Sequence, residues 1–248
     1  MNLETPDSLL SIIVTTGSVD DDLTLSLSSC IHQSYEHIEI IVVHHGHEKC
    51  DVLVTDERMT LYHLLDQTIS EARNFGIQKA TGEVLTFLES GQELHEGWLE
   101  KAKERFHISK ADAIQCGTMY EKDNKIEKLA IADDSIFGFY QRLLIKNTIP
   151  INAIIVKREI CSLFPKEKNL IGEWEFWINT LRGKKVDVQG EYFGSIIHLI
   201  EPLDTLNSAE YEKERLEIME AYFKEISFSP KKLKQLIAIK QLRKKLMA

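Results

Sequence analysis

Three apolar runs, separated by amphipathic stretches, constrain this chain more than any other feature. They are Leu10-Ser11-Ile12-Ile13-Val14-Thr15-Thr16, then Ile38-Glu39-Ile40-Ile41-Val42-Val43-His44-His45-Gly46, then Thr81-Gly82-Glu83-Val84-Leu85-Thr86-Phe87-Leu88-Glu89-Ser90-Gly91. Between the first two, Asp20–Ser34 opens on an Asp cluster suited to a helix N-terminus. Leu23, Leu27, Cys30 and Ile31 then recur at helical spacing. Between the second and third, Met59–Leu65 holds a short strand. A helix follows it to Lys79, closed by the glycine of Ala80-Thr81-Gly82. The order strand, helix, strand, helix, strand predicts an α/β sheet whose first half is parallel. Such sheets bind ligands in the crevice beyond the carboxyl ends of their strands. Thr15-Thr16, His44-His45 and Glu89-Ser90-Gly91 occupy those ends.

Farther along, a helix is expected over Glu96–His107 and a strand over Ala111–Cys116. Glu121–Ile136 is polar and irregular and reads as a surface excursion. Ile149–Val156 reads as a strand, Lys157–Leu163 as a short helix, and Val186–Val188 with Tyr192–Leu199 as a returning pair of strands. Ser208–Ile226 and Pro230–Met247 read as two closing helices. The length of 248 residues suits one α/β domain over 1–205 with a helical appendage over 206–248.

No apolar run reaches the 18 residues that a membrane-spanning helix needs, and the start lacks the regions of a signal peptide. Cys30, Cys50, Cys116 and Cys161 show no metal-ligand spacing and read as reduced thiols of a cytoplasmic protein. The formal net charge of −9 is the sum of +7 in the last 19 residues and −16 in the rest. An acidic body disfavours nucleic acid as a partner. The basic tail carries Lys231, Lys232, Lys234, Lys240, Arg243, Lys244 and Lys245 beside a stripe of Leu233, Leu236, Ile237, Leu242 and Leu246. It suits either an anionic membrane surface or a helix packed on the body or on a partner chain.

The order and wording of these segments resemble the family 2 glycosyltransferases, which have the nucleotide-sugar-binding fold called GT-A. The chain keeps Ser11-Ile12-Ile13, Gln33-Ser34-Tyr35, Glu39-Ile40-Ile41-Val42-Val43, Ala72-Arg73-Asn74-Phe75-Gly76 and Phe87-Leu88 in the family's order. Phe164-Pro165 and then Ile171-Gly172-Glu173-Trp174-Glu175-Phe176-Trp177-Ile178-Asn179-Thr180-Leu181 are similar to its later Phe-Asp-Glu and Glu-Asp-Trp-Glu segments. The resemblance spans roughly residues 8–200. Three motifs differ. Thr16-Gly17-Ser18 replaces Tyr-Asn, His44-His45 replaces an Asp pair, and Glu89-Ser90-Gly91-Gln92 replaces Asp-Ser-Asp-Asp.

The resemblance implies a mixed central sheet flanked by helices and a set of roles. Thr15, Thr16, His44, Arg73 and Asn74 would hold the nucleotide of a nucleotide-sugar donor. Glu89 would face the ribose or a divalent cation, manganese or magnesium, and His198 would lie near the phosphates or that metal. Gly91 offers no ligand where the family's metal-binding Asp sits, so Glu93 and His95 are the neighbouring substitutes. Glu173 falls at the family's general base, which takes the acceptor hydroxyl's proton in an inverting transfer. Each residue also has a structural alternative: a loop cap for Glu89, a helix start for Glu173, a helix-surface Arg73, a polar turn for His44, His45 and His47, a packed core residue for His198.

Two functions follow. The first is an inverting glycosyltransferase serving bacterial polysaccharide or glycolipid synthesis, with a glycan or lipid-linked acceptor, cytoplasmic and peripheral at the inner face of the membrane. The second is a GT-A-fold binding or scaffolding protein without catalysis. A third chemistry within the first function needs no metal and stabilises the diphosphate with basic side chains.

Overall fold

The computed structural model describes residues 8–47, 54–123, 125–130, 132, 139–166, 171–198, 209–222, 237 and 239–242. The first half is as the apolar runs predict. Strand β1 (Leu10–Thr16), helix α1 (Asp21–Ile31), β2 (Ile38–His44), β3 (Met59–His63), α2 (Ile69–Lys79) and β4 (Val84–Glu89) follow in chain order. The Asp20 carboxylate caps α1 by accepting from the Leu23 N–H at 3.1 Å. Thr68 and Glu71 form a reciprocal capping box at the start of α2. That helix ends at Lys79 as expected, but extended Ala80 closes it rather than a left-handed glycine.

The second half adds β5 (Gln92–Leu94), α3 (Trp98–Ser109), β6 (Ala113–Lys122), β7 (Lys125–Ala130), α4 (Phe139–Leu143), β8 (Ile154–Lys157), α5 (Gly172–Thr180), β9 (Val186–His198) and α6 (Ala209–Tyr222). The strands form one mixed sheet in the order β3-β2-β1-β4-β8-β6-β9-β5, with β7 paired to β6. Strands β3, β2, β1 and β4 are parallel, and β8 runs against β4 and β6.

Both faces of the sheet are covered, and successive residues of a strand belong to different cores. Ile13, Ile41 and Val43 join the cluster of α2, α5 and α6. Ile12, Val14, Ile40 and Val42 join the cluster of α1 and α3. This is why the runs are continuous rather than alternating.

Several expectations change. The polar excursion at Glu121–Ile136 is instead the end of β6 and an antiparallel strand β7, as far as it falls within the described residues. Its polarity belongs to an exposed hairpin, not to an irregular loop. The expected strand at Ile149 begins at Ile154, after a 3-10 turn over Ile151–Ala153. The expected helix at Lys157 is a single 3-10 turn over Arg158–Ile160. The returning pair of strands is one strand, β9, whose register against β6 shifts between Cys116 and Thr118. Of the last expected helix, only Ile237 and residues 239–242 are described, so Leu233, Leu236 and Leu246 lie outside the described residues, as does Cys50. Ile239 and Leu242 pack into the core with Ile218, Met219 and Tyr222, while Ile237 and Lys240 face solvent.

Candidate functional site

The register of the parallel strands aligns a set of residues along the carboxyl edge of the sheet. Thr16 lies opposite His44, Thr15 opposite Glu89, and His44 opposite His63, so all sit at one level of the carboxyl edge. They differ in what their side chains reach. Thr15, Thr16 and His44 are each 2% exposed. The Thr15 hydroxyl donates to the Leu88 carbonyl at 3.4 Å, and the Thr16 hydroxyl donates to the Ser18 carbonyl. His44 lies edge-on to His63, with 3.4 Å between their Nδ1 atoms. Burial and the neighbouring His63 both lower the His44 pKa, so His44 is neutral near pH 7. These three side chains are buried at the carboxyl edge and turned to partners within the protein. His45 and His47 turn elsewhere, to the Gln67 carbonyl at 3.2 Å and to Asp66 at 2.6 Å, so the three histidines do not converge.

The Ala-Arg-Asn-Phe-Gly motif explains itself residue by residue. A Cβ on Gly76 would lie 2.3 Å from Ile13 Cγ2, so only glycine lets α2 press this closely on β1. Asn74 clasps the backbone N–H and C=O of one residue, Phe164, in the segment before α5. Its Nδ2 donates to the Phe164 carbonyl at 2.9 Å and its Oδ1 accepts from the Phe164 N–H at 2.7 Å. The Phe164 ring, held in this way, backs the Arg73 guanidinium, whose Cζ lies 4.9 Å from the ring centre. Asn74 therefore acts on Arg73 through Phe164.

Arg73 is the hub. It is 5% exposed, its Nη2 donates to Glu89 Oε1, and its charge also acts on Glu173. Burial lowers the guanidinium pKa and Glu173 opposes the shift; an arginine stays cationic under such pressure. Glu173 occupies the first turn of α5, where a carboxylate is favoured by the helix dipole. Burial raises its carboxyl above the usual range, while Arg73 and a hydrogen bond from Asn147 Nδ2 at 3.2 Å pull it down. The Trp174 indole donates to the Leu143 carbonyl at 2.6 Å and ties α5 to α4. The result is an acid, a cation and an acid in series: Glu89, Arg73, Glu173.

His198 faces two carboxylates instead of an open site. Its Nε2 is 2.5 Å from Glu93 Oε1 and its Nδ1 is 3.8 Å from Glu121 Oε2. The registers Glu121↔His198 and Glu93↔Ile196 put all three on one face of the sheet. The imidazole stands between the carboxylates, so its two nitrogens point apart rather than toward a shared centre. Among the described residues no group of three His, Cys, Asp or Glu is arranged to hold a metal ion. Gly91, at φ +84°, has the Asp22 carboxyl carbon 3.7 Å from where its Cβ would be, and Glu89 is engaged by Arg73. This donor set does not fit a divalent cation.

Sequence alone assigns no role to Asn147, Phe164 or Tyr120, and of these only Phe164 stands in a resembled segment. Asn147 and Phe164 lie in irregular segments where no periodicity marks a side chain. Tyr120 sits on β6, and burial and then the Glu173 charge raise its phenol pKa. Only proximity in the fold reveals these three.

Comparison with known proteins follows the same lines. The family model described as glycosyl transferase family 2 matches residues 11–155. An uncharacterized glycosyltransferase of Haemophilus influenzae is 27% identical over 189 residues, 73% of this chain and 74% of that protein. Glycosyltransferase GlyA of Streptococcus pneumoniae is 28% identical over 120 residues, 46% of this chain but 17% of its own length. Among solved structures, S. aureus TarS 1-349 in complex with UDP-GlcNAc superposes with a TM-score of 0.67 at 14% identity, covering 91% of this chain and 69% of that one.

Proposed function

Because the chain belongs to glycosyl transferase family 2, we propose that it moves a sugar from a nucleotide-diphosphate donor to an acceptor hydroxyl with inversion. One observation carries this reading: the series Glu89, Arg73, Glu173 beside the carboxyl edge of β1 and β4. In this mechanism Glu173 takes the hydroxyl proton as the acceptor oxygen bonds to the anomeric carbon. The bond from that carbon to the donor phosphate breaks, and the nucleoside diphosphate leaves with the electron pair. Arg73 supplies a fixed positive charge toward the departing diphosphate from a poorly solvated position, where such a charge acts strongly. Glu89 holds Arg73 in place and faces the ribose. Thr15, Thr16 and His44 set the depth of the crevice. The likeness to a structure bound to UDP-GlcNAc supports a uridine nucleotide as the first donor to test. Bacterial glycan synthesis is the setting that the relatives suggest.

The donor set favours a reaction without a divalent cation. UDP titrated in chelator and in manganese is expected to bind with dissociation constants within about threefold, roughly 0.65 kcal/mol. Tight manganese binding that disappears in Glu89→Ala contradicts this. Failure of any nucleotide to bind contradicts the donor site itself.

For the tail, the proposal is a basic helix that covers the body with Ile239 and Leu242 and presents Lys240 outward to an anionic membrane surface. None of the described helices is long and apolar enough to cross a membrane. Deleting residues 230–248 is expected to lower the melting temperature by about 5–10 °C, since two large apolar side chains leave the core. Sedimentation with anionic vesicles is expected for the full chain at low salt, and to fade at high salt as screening shortens the reach of exposed charge. Equal pelleting of both proteins contradicts the membrane role, and an unchanged melting temperature contradicts the packing role.

A further inference from the structure

We propose that Asn147 is a positioning residue for the Glu173 carboxylate, fixing Oε1 so that the other oxygen meets the acceptor hydroxyl. The inference rests on Glu173 being the base of the proposed reaction. Its grounds are geometric. Asn147 lies in the irregular segment between α4 and the 3-10 turn at Ile151. Its amide bridges two partners, with Oδ1 accepting from the Ile149 N–H at 3.1 Å and Nδ2 donating to Glu173 Oε1 at 3.2 Å. The orientation is fixed by chemistry. A backbone N–H can only donate, so the amide oxygen must face Ile149 and the NH2 must face the carboxylate. A carboxylate accepts that donor in its ionised form, which is the form a base needs.

Among the described residues, three other groups face Glu173. Arg73 from α2 favours the ionised carboxylate. The Tyr120 phenol from β6 is near enough to feel the Glu173 charge. The Trp177 indole N–H, on α5 itself, is buried beside the carboxylate without a geometrically sound hydrogen bond. Burial pushes the carboxyl pKa up, against Arg73 and Asn147. Asn147 is the one neutral donor in this set with a fixed hydrogen bond to the carboxylate, so it can hold one oxygen without the pull of a full charge.

The bridging geometry separates a positioning role from a structural one. Asn147→Asp keeps the shape and the acceptor for Ile149 N–H, but replaces the donor facing Glu173 with an acceptor. Asn147→Ala removes both bonds. The experiment follows the Glu173 carboxyl resonance by carbon NMR against pH, identified by its absence in Glu173→Gln. It also records the pH dependence of nucleotide-sugar turnover and the dissociation constant for UDP. In Asn147→Asp the Glu173 midpoint and the acid limb of turnover are expected to rise by about one pH unit, with turnover falling about tenfold at pH values well below the wild-type midpoint and UDP affinity unchanged. In Asn147→Ala the rise is expected to be smaller, roughly half a unit. A midpoint in Asn147→Asp within about 0.2 unit of wild type overturns the proposal. If Glu173→Gln keeps its turnover, the base reading fails instead, and the carboxyl midpoint still decides whether Asn147 governs Glu173.

Discussion

Glu173→Gln is expected to lower turnover at least about 100-fold while leaving the affinity for nucleoside diphosphate within about twofold of wild type. The amide has the shape of the carboxylate and its oxygen still accepts from Asn147 Nδ2. Arg73 keeps Glu89 as its partner, so that ion pair is preserved. What the variant loses is basicity. The acceptor hydroxyl has no group to take its proton as the new bond forms, and general-base contributions are about 10²–10⁴-fold, roughly 2.7–5.5 kcal/mol. The loss therefore belongs in turnover and not in binding. Single-turnover rates at saturating donor, beside UDP titration of both proteins, separate the two. Turnover within about threefold of wild type removes Glu173 from the reaction.

Arg73→Met is expected to destabilise the fold by about 3 kcal/mol and to abolish measurable nucleotide binding. Truncating one partner of a buried ion pair costs about 3–5 kcal/mol, because the other charge is left uncompensated. The Glu89 side chain keeps 32% of its exposure, so water relieves part of that cost and the lower end applies. Methionine fills much of the arginine's volume against Phe164, which limits the cavity contribution.

The pH dependence of this variant carries a sign. A carboxyl whose folded pKa lies above its unfolded one contributes stability that is fully present below the unfolded value and lost as pH rises through the folded one. Burial puts Glu173 in that class, and Arg73 holds the shift back. Removing Arg73 raises the carboxyl further, so the deficit against wild type is larger at pH 7 than at pH 5. Urea unfolding at both values checks this. An equal deficit at the two pH values shows that Glu173 does not depend on Arg73.

The parallel half of the sheet was legible because its strands are apolar on both faces, and β1, β2 and β4 fall where the runs of Ile, Val and Leu stand. The family resemblance rested on the same segments, and the match over residues 11–155 bears it out. The hairpin β6–β7 was not legible. Most of β7 is exposed, so hydrophobicity does not mark it, and only its pairing with β6 makes it a strand. Strand β5 is three residues long and owes its existence to β9, more than a hundred positions away.

Of the candidate site, the sequence marked the motif residues and not the groups from other segments that hold them. Arg73, Glu89 and Glu173 stood out as motif residues, and the fold pairs Arg73 with Glu89 and brings its charge within reach of Glu173. What the motif could not convey is direction. Asn74 turns to Phe164, the Thr16 hydroxyl donates to Ser18, and His44 lies against His63. Those partners come from other segments, so a one-dimensional pattern carries no sign of them. The altered loop at Gly91 shows the converse. The sequence marks a missing carboxylate, and only the structure shows Asp22 of α1 beside the place it left.

Turnover of a panel of nucleotide-diphosphate sugars, assayed in chelator with wild type and Glu173→Gln side by side, tests the central claim most directly. The account predicts that wild type releases the nucleoside diphosphate of at least one donor without added metal, and that the variant binds this donor but does not release its product. Binding of a nucleotide with no release from any donor by wild type, in chelator or in manganese, contradicts the account and leaves a binding protein on the same fold.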